Sequence, residues 1–138
     1  MKKPEVSKFQ FINFVVRESR FAFVERGEYE FYFDFTPSGK VYPALGQFEL
    51  HLNLKIREKN DLVKIDIKTI SFFAYEEQEG NLAENKFFTM NAPAIVYPYI
   101  RAYIATLTAQ SGIGTITMPA MNLAPLGEVL KKKIQVLS

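Results

Sequence analysis

The sequence predicts an α+β fold in which an antiparallel sheet comes first along the chain and helices follow it. Up to about residue 70, apolar and polar side chains alternate with the two-residue period of half-buried strands. From about residue 91, apolar residues recur at the three- and four-residue spacing of an amphipathic helix. The chain has 138 residues, which is the size of one domain, so we expect a single domain over residues 1–138.

The first two predicted strands are rich in aromatic residues. Residues 8–23 contain no Gly or Pro and are rich in Phe and Val, which favours a long strand. Residues 28–35 alternate, and they place an aromatic set on one side: Tyr29, Phe31, Phe33 and Phe35. The sequence Thr-Pro-Ser-Gly at Thr36–Gly39 is typical of a turn, so we expect the second strand to end at Phe35.

The next two strands form a predicted hairpin. Residues 48–56 and 63–69 both alternate strictly, and the polar sequence at 59–61 separates them. One face of this hairpin is apolar and the other is charged, which is typical of an antiparallel sheet with one buried face. Residues 71–77 are compatible with a bent continuation or a further strand.

A long helix is predicted from Asn91 to Ser111. Its apolar positions follow the i, i+3, i+4, i+7 pattern: Ile100, Tyr103, Ile104 and Leu107. We expect Asn91 to be the N-cap, while Pro98 indicates either a kink or a later start of the helix. Ser111–Gly112 is typical of a helix end.

A second, shorter amphipathic helix is predicted near residues 126–136, after a loop at 113–125 that contains Met and Pro. Lys131, Lys132 and Lys133 fall in its last turns. They are interpreted either as a solvated end that complements the helix dipole or as a phosphate- or partner-binding site.

Composition excludes several classes of function. There are 17 basic and 15 acidic residues, a net charge of +2, which is far from the strongly basic character of a dedicated nucleic-acid binder. Cysteine is absent, so disulfides, thiol nucleophiles and thiolate metal sites are excluded. No apolar run is long enough for a signal peptide or a membrane span, and we therefore expect a cytoplasmic protein.

No catalytic or metal-binding constellation is apparent. The single histidine, His51, lies among charged neighbours on the polar side of a strand, which favours a structural or solvent-facing role. Glu76, Glu77 and Glu79 form the densest acidic cluster, but nothing apolar adjoins them to raise a pKa. Gly112–Gly114 is too short to hold a phosphate. We therefore expect no enzymatic activity, no cofactor and no metal.

The aromatic content is unusual. The chain has 13 Phe and 7 Tyr, together 14% of its residues, and no Trp. Either all of these rings belong to one core, or some of them line a groove or an oligomer interface. The pattern alone leaves both interpretations open.

Two motifs resemble the SecB protein-export chaperone family. Residues 91–101, Asn-Ala-Pro-Ala-Ile-Val-Tyr-Pro-Tyr-Ile-Arg, are similar to the signature that opens the long helix of that family. Residues 122–125, Asn-Leu-Ala-Pro, match the sequence before its last helix. A weaker likeness extends to residues 9–21 and 48–52, so that the resemblance covers most of the chain in the right order.

The resemblance implies a fold and a function. SecB-like proteins pair a four-stranded antiparallel sheet with a long helix and a short C-terminal helix, and they assemble as dimers of dimers. They have no enzymatic activity; they hold unfolded precursor polypeptides in apolar grooves, keep them competent for translocation, and can deliver them to the SecA motor. Together with the absence of a catalytic set, this implies a chaperone of protein export with no nucleic-acid partner and no stable membrane insertion.

The resemblance also places candidate site residues. The segments that flank the peptide groove of the family correspond here to a client-binding set: Phe31, Phe33, Phe35, Met118, Met121, Leu126 and Leu130. The positions that dock SecA fall at Glu18, Ala22, Lys64 and Asp66, so only Glu18 and Asp66 retain a carboxylate. Small side chains on the long helix predict an oligomer interface: Ala102, Ala105 and Ala109.

Two alternative functions remain at this stage. Some SecB-like proteins are chaperones dedicated to an antitoxin of a toxin–antitoxin system, and the partly lost SecA-docking carboxylates fit that role. The third hypothesis is an oligomeric adaptor without chaperone activity. These hypotheses differ in the number of clients: many for an export chaperone, one for an antitoxin chaperone and none for an adaptor.

Overall fold

The computed structural model of the chain describes residues 8–76 and 81–137. Four long strands come first: β1 (Phe9–Phe23), β2 (Phe31–Tyr42), β3 (Gln47–Glu58) and β4 (Val63–Tyr75). A π-helical turn (Phe87–Asn91) leads into α1 (Ala92–Ser111), which is followed by α2 (Ala124–Lys131) and a short strand, β5 (Ile134–Val136). Single 3₁₀ turns lie at Pro43–Leu45 and Leu82–Glu84.

The strands form one sheet in the order β1-β4-β3-β2-β5. All neighbours are antiparallel except β2 and β5, which run parallel. The α+β architecture, with the sheet before the long helix and the short C-terminal helix, is confirmed. The predicted number of four strands is too low by one, because Ile134–Val136 pairs with Gly39–Val41 instead of continuing the last helix.

One side of the sheet, called here the inner face, packs against α1. Tyr97 of α1 lies over Phe35 with a ring-centroid distance of 6.1 Å, and Tyr99 lies 5.0 Å from Phe11. The Tyr103 hydroxyl donates a hydrogen bond to Ser19 Oγ at 2.7 Å. The inner-face residues of β3 and β4 are almost all fully buried: Phe48, Leu50, Leu52, Leu54, Ile56, Val63, Ile65, Ile67 and Phe73. The opposite side, called the outer face, carries the charged members of the alternating pattern.

The prediction of a turn at Thr36–Gly39 is wrong, because β2 continues through these residues to Tyr42. Pro37 lies opposite Leu52 and Gly39 opposite Leu50. The Gly39 N–H points away from β3 and donates to the Lys133 carbonyl oxygen at 3.1 Å, so the nitrogen of Pro37, two residues earlier, also points away from the β3 ladder. Glycine is needed at position 39, since a Cβ there would lie 2.9 Å from the Phe48 ring.

The long helix α1 begins at Ala92, directly after Asn91, as predicted. Asn91 occupies the N-cap position, but it has helical backbone angles and its side chain makes no capping hydrogen bond, so the predicted capping role is wrong. The chain instead enters the helix through the π-helical turn, and the Asn85 side chain accepts a hydrogen bond from the Phe87 N–H at 2.8 Å. Pro98 lies inside α1 on its exposed side, and the helix ends at Gly112 with a left-handed φ of 88°, as Ser111–Gly112 predicts.

Among the described residues, the helices are too short or too polar to cross a bilayer.

Candidate functional site

The aromatic residues of β2 lie on the inner face at the margin of the core. Phe31, Phe33 and Phe35 pack against the buried cluster, yet each keeps part of its surface exposed. Phe31 also contacts Tyr29, with ring centroids 5.4 Å apart. Further along the same strand, Val41 is fully buried. The first half of β2 therefore presents a strip of partly exposed rings, called here the aromatic strip (Phe31, Phe33 and Phe35).

The backbone of the aromatic strip faces an edge of the sheet. Gly39 N–H and Val41 C=O bond to the C-terminal segment, with N···O distances of 3.1 Å to Lys133 and 2.8 Å to Leu137. Backbone groups of alternate residues in a strand point the same way, so those of the aromatic strip also point away from β3. Within residues 8–76 and 81–137, β5 pairs with β2 only at Gly39–Val41. The strip and an open strand edge therefore coincide.

The segment after α1 is held close to the helix. The Tyr97 hydroxyl donates to the Pro119 carbonyl oxygen, and the Ile116 N–H donates to Thr108 Oγ1 at 2.8 Å. These bonds place Met118 inside the core with no exposed surface. Leu130 of α2 is also fully buried. As the protomer stands, these two members of the predicted client-binding set belong to the core and offer no surface to a client.

Met121 and Leu126 lie nearer to the surface, and both are half-buried. Met121 lines a shallow apolar depression of about 320 Å³ between the start of α1 and the segment before α2, together with Met90, Ala94, Asn122, Leu123 and Ala124. Leu126 lies on α2, which packs against β2 and against the π-helical turn. Phe35 contacts the Tyr97 ring, and the Tyr97 hydroxyl donates to the carbonyl oxygen of Pro119, two residues before Met121.

The side of α1 that faces away from the sheet is apolar. Arg101 is the single charged residue among the 20 residues of α1. Ala102 and Ala109 are exposed and Ala105 is half-buried. A second depression, of about 280 Å³, lies along this side and is lined by Tyr97, Pro98, Arg101, Ala102, Ala105 and Thr117. A helix that is apolar on nearly all sides is typically covered by protein both where it faces the sheet and where it faces away from it. The side of α1 that faces away from the sheet is therefore a candidate interface.

The outer face holds Glu18 and Asp66, both within ion pairs. Glu18 lies 2.5 Å from the Arg20 guanidinium and 3.3 Å from Lys68 Nζ. The hydrogen bond from Lys68 is the largest influence on Glu18, and it lowers the pKa of this carboxyl. Arg57 donates two hydrogen bonds to Asp66, at 2.9 and 3.1 Å. Both carboxylates are therefore engaged by basic groups of the same chain.

The remaining sequence candidates form no catalytic arrangement in the described residues. His51 Nε2 lies 3.0 Å from Glu49 Oε2 on the outer face. Glu76 is exposed, while Glu77 and Glu79 lie outside the described residues. In residues 8–76 and 81–137, no group of three or more His, Cys, Asp or Glu side chains is placed to hold a metal ion.

Comparison with solved structures shows which fold the chain has. The chain is similar to the SecB-like chaperone Rv1957 of Mycobacterium tuberculosis, solved in complex with a ChAD peptide from the HigA1 antitoxin; the TM-score is 0.69, over 83% of this chain and 91% of that chain, at 20% identity. The chain has the SecB-like fold. This confirms the resemblance that the motifs at 91–101 and 122–125 indicate.

Other comparisons are weaker than the SecB-like one. No family model matches the sequence. An uncharacterized protein of Methanocaldococcus jannaschii is 32% identical over 71 residues, 49% of this chain and 45% of that protein, so this chain spans less than half of its length. A protein of unknown function from Streptococcus agalactiae has a TM-score of 0.49 at 9% identity, over 84% of this chain and 100% of that chain, which is too low to add to the argument.

Sequence reasoning missed the open edge of β2 and the part played by Tyr97. The turn expected at Thr36–Gly39 concealed the edge, because it ended the strand too early. Tyr97 falls in the helix motif, but its link to Phe35 and Pro119 joins elements that are far apart in sequence. The exposed Met90 was also missed; its spacing of four residues from Ala94 places both on one side of the helical chain.

Proposed function

We propose that this SecB-like protein is a chaperone that holds unfolded polypeptide segments along the first half of β2. The observation that carries this proposal is the coincidence of the aromatic strip with an open strand edge. Apolar client side chains would lie against Phe33 and Phe35, and the client backbone would pair with the edge. Neither interaction requires a particular client sequence, because buried area and main-chain hydrogen bonds supply the affinity.

The apolar depression at Met121 extends this client-binding surface. Methionine adapts its shape to irregular partners, and Met90 is about half exposed beside it. A client side chain in this depression would remove apolar area from water at about 25 cal/mol per Å². No step of the proposed activity involves bond making or breaking, so the protein acts without a catalytic residue or a cofactor. We place this activity in the cytoplasm.

Two client classes fit this surface. Unfolded precursors destined for export are the first, with translocation competence as the outcome. An antitoxin segment is the second, and the bound antitoxin peptide of the M. tuberculosis neighbour favours it. The ion pairs of Glu18 and Asp66 also favour it, since carboxylates that already bind Arg and Lys attract a basic SecA tail less strongly. The number of clients distinguishes the two.

The apolar side of α1 that faces away from the sheet supports self-association. We propose that copies of the chain pack through this helix, with Ala102, Ala105 and Ala109 allowing close approach, and that the open edge of β1 adds a second contact. Light scattering is expected to return a dimer or a tetramer, and a mass near 15.9 kDa at micromolar concentration would contradict this. Ala102→Glu, on the exposed side of α1, is expected to lower the mass.

The client-binding surface is tested by aggregation suppression of several unfolded model proteins. Phe33→Ala and Phe35→Ala are expected to weaken client binding by about 1–3 kcal/mol, since each removes part of a ring's apolar contact. Met121→Ala serves as a third probe. Phe72→Ala is the matched control, because Phe72 is also half-buried but lies on the outer face.

Thermal melting of each variant separates binding from folding. Phe33→Ala and Phe35→Ala are expected to melt close to the unmodified protein, because their rings are only partly buried. The proposal is wrong if all three variants unfold the protein or if Phe72→Ala weakens binding as much as they do. Suppression of the aggregation of only one client, an antitoxin, would favour the dedicated chaperone. If the protein suppresses the aggregation of no client, the adaptor hypothesis would be favoured.

A further inference from the structure

The central part of the outer face carries more basic than acidic side chains. Its basic members, called here the cationic patch, come from three neighbouring strands: Arg20, Lys55, Arg57, Lys64 and Lys68. The carboxylates in the same stretch are Glu18, Asp34 and Asp66. Most of these groups line one shallow depression of about 230 Å³. The patch therefore lies on a continuous surface and is not scattered over the sheet.

Glu18 lies deeper than the cations that bind it. Its side chain is 33% exposed, whereas those of Arg20 and Lys68 are 76% and 60% exposed. Asp66 and its partner Arg57 are alike, at 36% and 32%, and Asp34 is exposed. Four of the five cations are exposed, and a partner that approaches this face therefore meets more positive than negative charge.

One cross-strand pair places like charges together. Arg57 of β3 lies directly opposite Lys64 of β4, and like charges at such positions destabilise a sheet. Lys64 is exposed, and its other neighbour across the sheet is the uncharged Ala22. Arg57 already donates two hydrogen bonds to Asp66, so Lys64 is the member of the pair that a bound anion would contact to reduce this repulsion.

An apolar region adjoins the cationic patch on the same face. Val15 lies opposite Ile70, and Phe72 follows two residues later on β4. All three keep part of their surface exposed. Residues two apart in a strand are separated by about 7 Å, so the apolar region begins next to Lys68. A nucleic-acid backbone offers phosphates but no apolar side chain for this region, whereas a peptide offers both.

We propose that the outer face docks an acidic peptide segment of a partner protein, with its carboxylates on the cationic patch and an apolar side chain against Val15, Ile70 and Phe72. This site lies on the opposite side of the sheet from the client-binding surface. A partner could therefore bind while a client is held. In this proposal an acidic partner binds a basic surface, whereas a basic tail would bind a surface of free carboxylates.

The test uses labelled synthetic peptides of about 12 residues, which reach roughly 40 Å when extended and so cross the sheet. One peptide carries Glu and a few Leu and Phe, and its counterpart replaces every Glu with Lys. The client-binding surface takes either peptide, and only the cationic patch distinguishes their charges. Fluorescence anisotropy is therefore expected to show tighter binding of the acidic peptide, and this difference is expected to shrink as salt is raised from about 50 to about 500 mM. Tighter or equal binding of the basic peptide would overturn the proposal.

Two charge reversals locate the site. Lys64→Glu places a carboxylate opposite Arg57, which favours folding, and it is expected to weaken acidic-peptide binding by at least about tenfold. Lys132→Glu makes the same change of charge at the exposed end of α2 and is expected to leave the affinity unchanged. An unchanged affinity in Lys64→Glu, or a loss confined to Lys132→Glu, would place the site elsewhere and overturn the proposal.

A single-stranded oligonucleotide of similar charge distinguishes a peptide site from a general polyanion surface. If it binds as tightly as the acidic peptide and loses affinity in Lys64→Glu, the peptide proposal is wrong. Aggregation suppression by Lys64→Glu is expected to match that of the unmodified protein. This readout separates failure of the docking proposal from failure of the client-binding proposal, because the two use opposite faces.

Discussion

On the inner face of the sheet, Ile56 and Ile65 have no exposed surface, whereas the next residues along the same strands, Arg57 and Asp66 on the outer face, keep about a third of each side chain exposed. The same strands supply both sets of residues, since successive side chains of a strand point to opposite sides. The inner face is held by apolar burial and ring packing. The outer face is held by exposed ion pairs, whose contribution to stability is small. Substitutions of charged residues on the outer face are therefore expected to change stability little, whereas substitutions of fully buried residues on the inner face are expected to change it strongly.

The largest expected effect is a comparison of two phenylalanines across the sheet. Phe48 is fully buried and stacks on Phe88 at 4.4 Å, so Phe48→Ala is expected to cost about 3–5 kcal/mol of unfolding free energy. Phe72 is only half-buried on the outer face, and Phe72→Ala is expected to cost clearly less. Denaturation by urea measures both. Equal losses would contradict the difference between the faces.

A smaller effect is expected from two hydroxyls on the inner face of β4. Thr69 Oγ1 donates to the Leu52 carbonyl oxygen at 2.6 Å, so Thr69→Val is expected to cost about 1 kcal/mol. The Ser71 hydroxyl is fully buried and has no partner in the described residues. Ser71→Ala removes this unpaired group and is expected to leave stability unchanged or to raise it slightly. A loss in Ser71→Ala as large as that in Thr69→Val would indicate a bound water at Ser71.

The pH dependence of stability is expected to depend on Glu58, which lies at the inner-face end of β3 and is 2% exposed. Burial alone would raise the pKa of Glu58, but hydrogen bonds from the N–H groups of Asn60, Glu30 and Leu62 lower it, and the net value lies below the ordinary 4.5. A lowered pKa contributes stability that is present above pH 4.5 and is lost as the pH falls through the folded value.

Glu58→Gln tests this contribution, because the amide does not titrate and still offers one acceptor oxygen. The melting temperature of the variant is expected to fall less steeply than that of the unmodified protein as the pH drops below 4.5. Identical slopes for the two proteins would assign the acid sensitivity to other carboxyls.

The smallest effect is expected on the outer face. Asp66→Asn breaks the ion pair with Arg57, but both side chains are about one-third exposed, and the expected loss is no more than about 1 kcal/mol. Urea denaturation at low and high salt is the measurement, with Phe48→Ala as the reference for an inner-face change. A loss comparable to that of Phe48→Ala would mean that the outer face contributes to the fold as strongly as the inner one.

The elements whose periodic pattern continues over many residues were predictable from the sequence. Alternation over residues 48–56 and 63–69 located β3 and β4, and the spacing of Ile100, Ile104 and Leu107 located α1. These patterns are predictable because each element buries one face, and burial of one face imposes a period on the sequence. The family resemblance rested on local motifs, and the fold comparison agrees with it.

The errors occurred where a distant part of the chain overrides a local preference. Pro37 and Gly39 are turn residues in isolation, but in the folded chain the Pro37 nitrogen faces away from β3 and Gly39 makes room for Phe48. Ile134–Val136 continues a helical pattern in sequence, yet it pairs with β2. Met118 appeared to be available to a client, but it is placed in the core by two hydrogen bonds of its segment, one from the Tyr97 hydroxyl to the Pro119 carbonyl oxygen and one from the Ile116 N–H to Thr108 Oγ1. None of these partners is visible in a local window.

During synthesis, β2 is completed well before β5, a strand that pairs with it. Gly39 and Val41 leave the ribosome long before Ile134, and at about 5–20 residues per second the delay is roughly 5–20 seconds. Throughout that interval the whole edge of β2 that points away from β3, from Phe31 to Val41, can pair with any extended chain, including a nascent copy of itself. The client binding proposed for β2 therefore implies a stage at which the emerging chain is a potential client of finished copies.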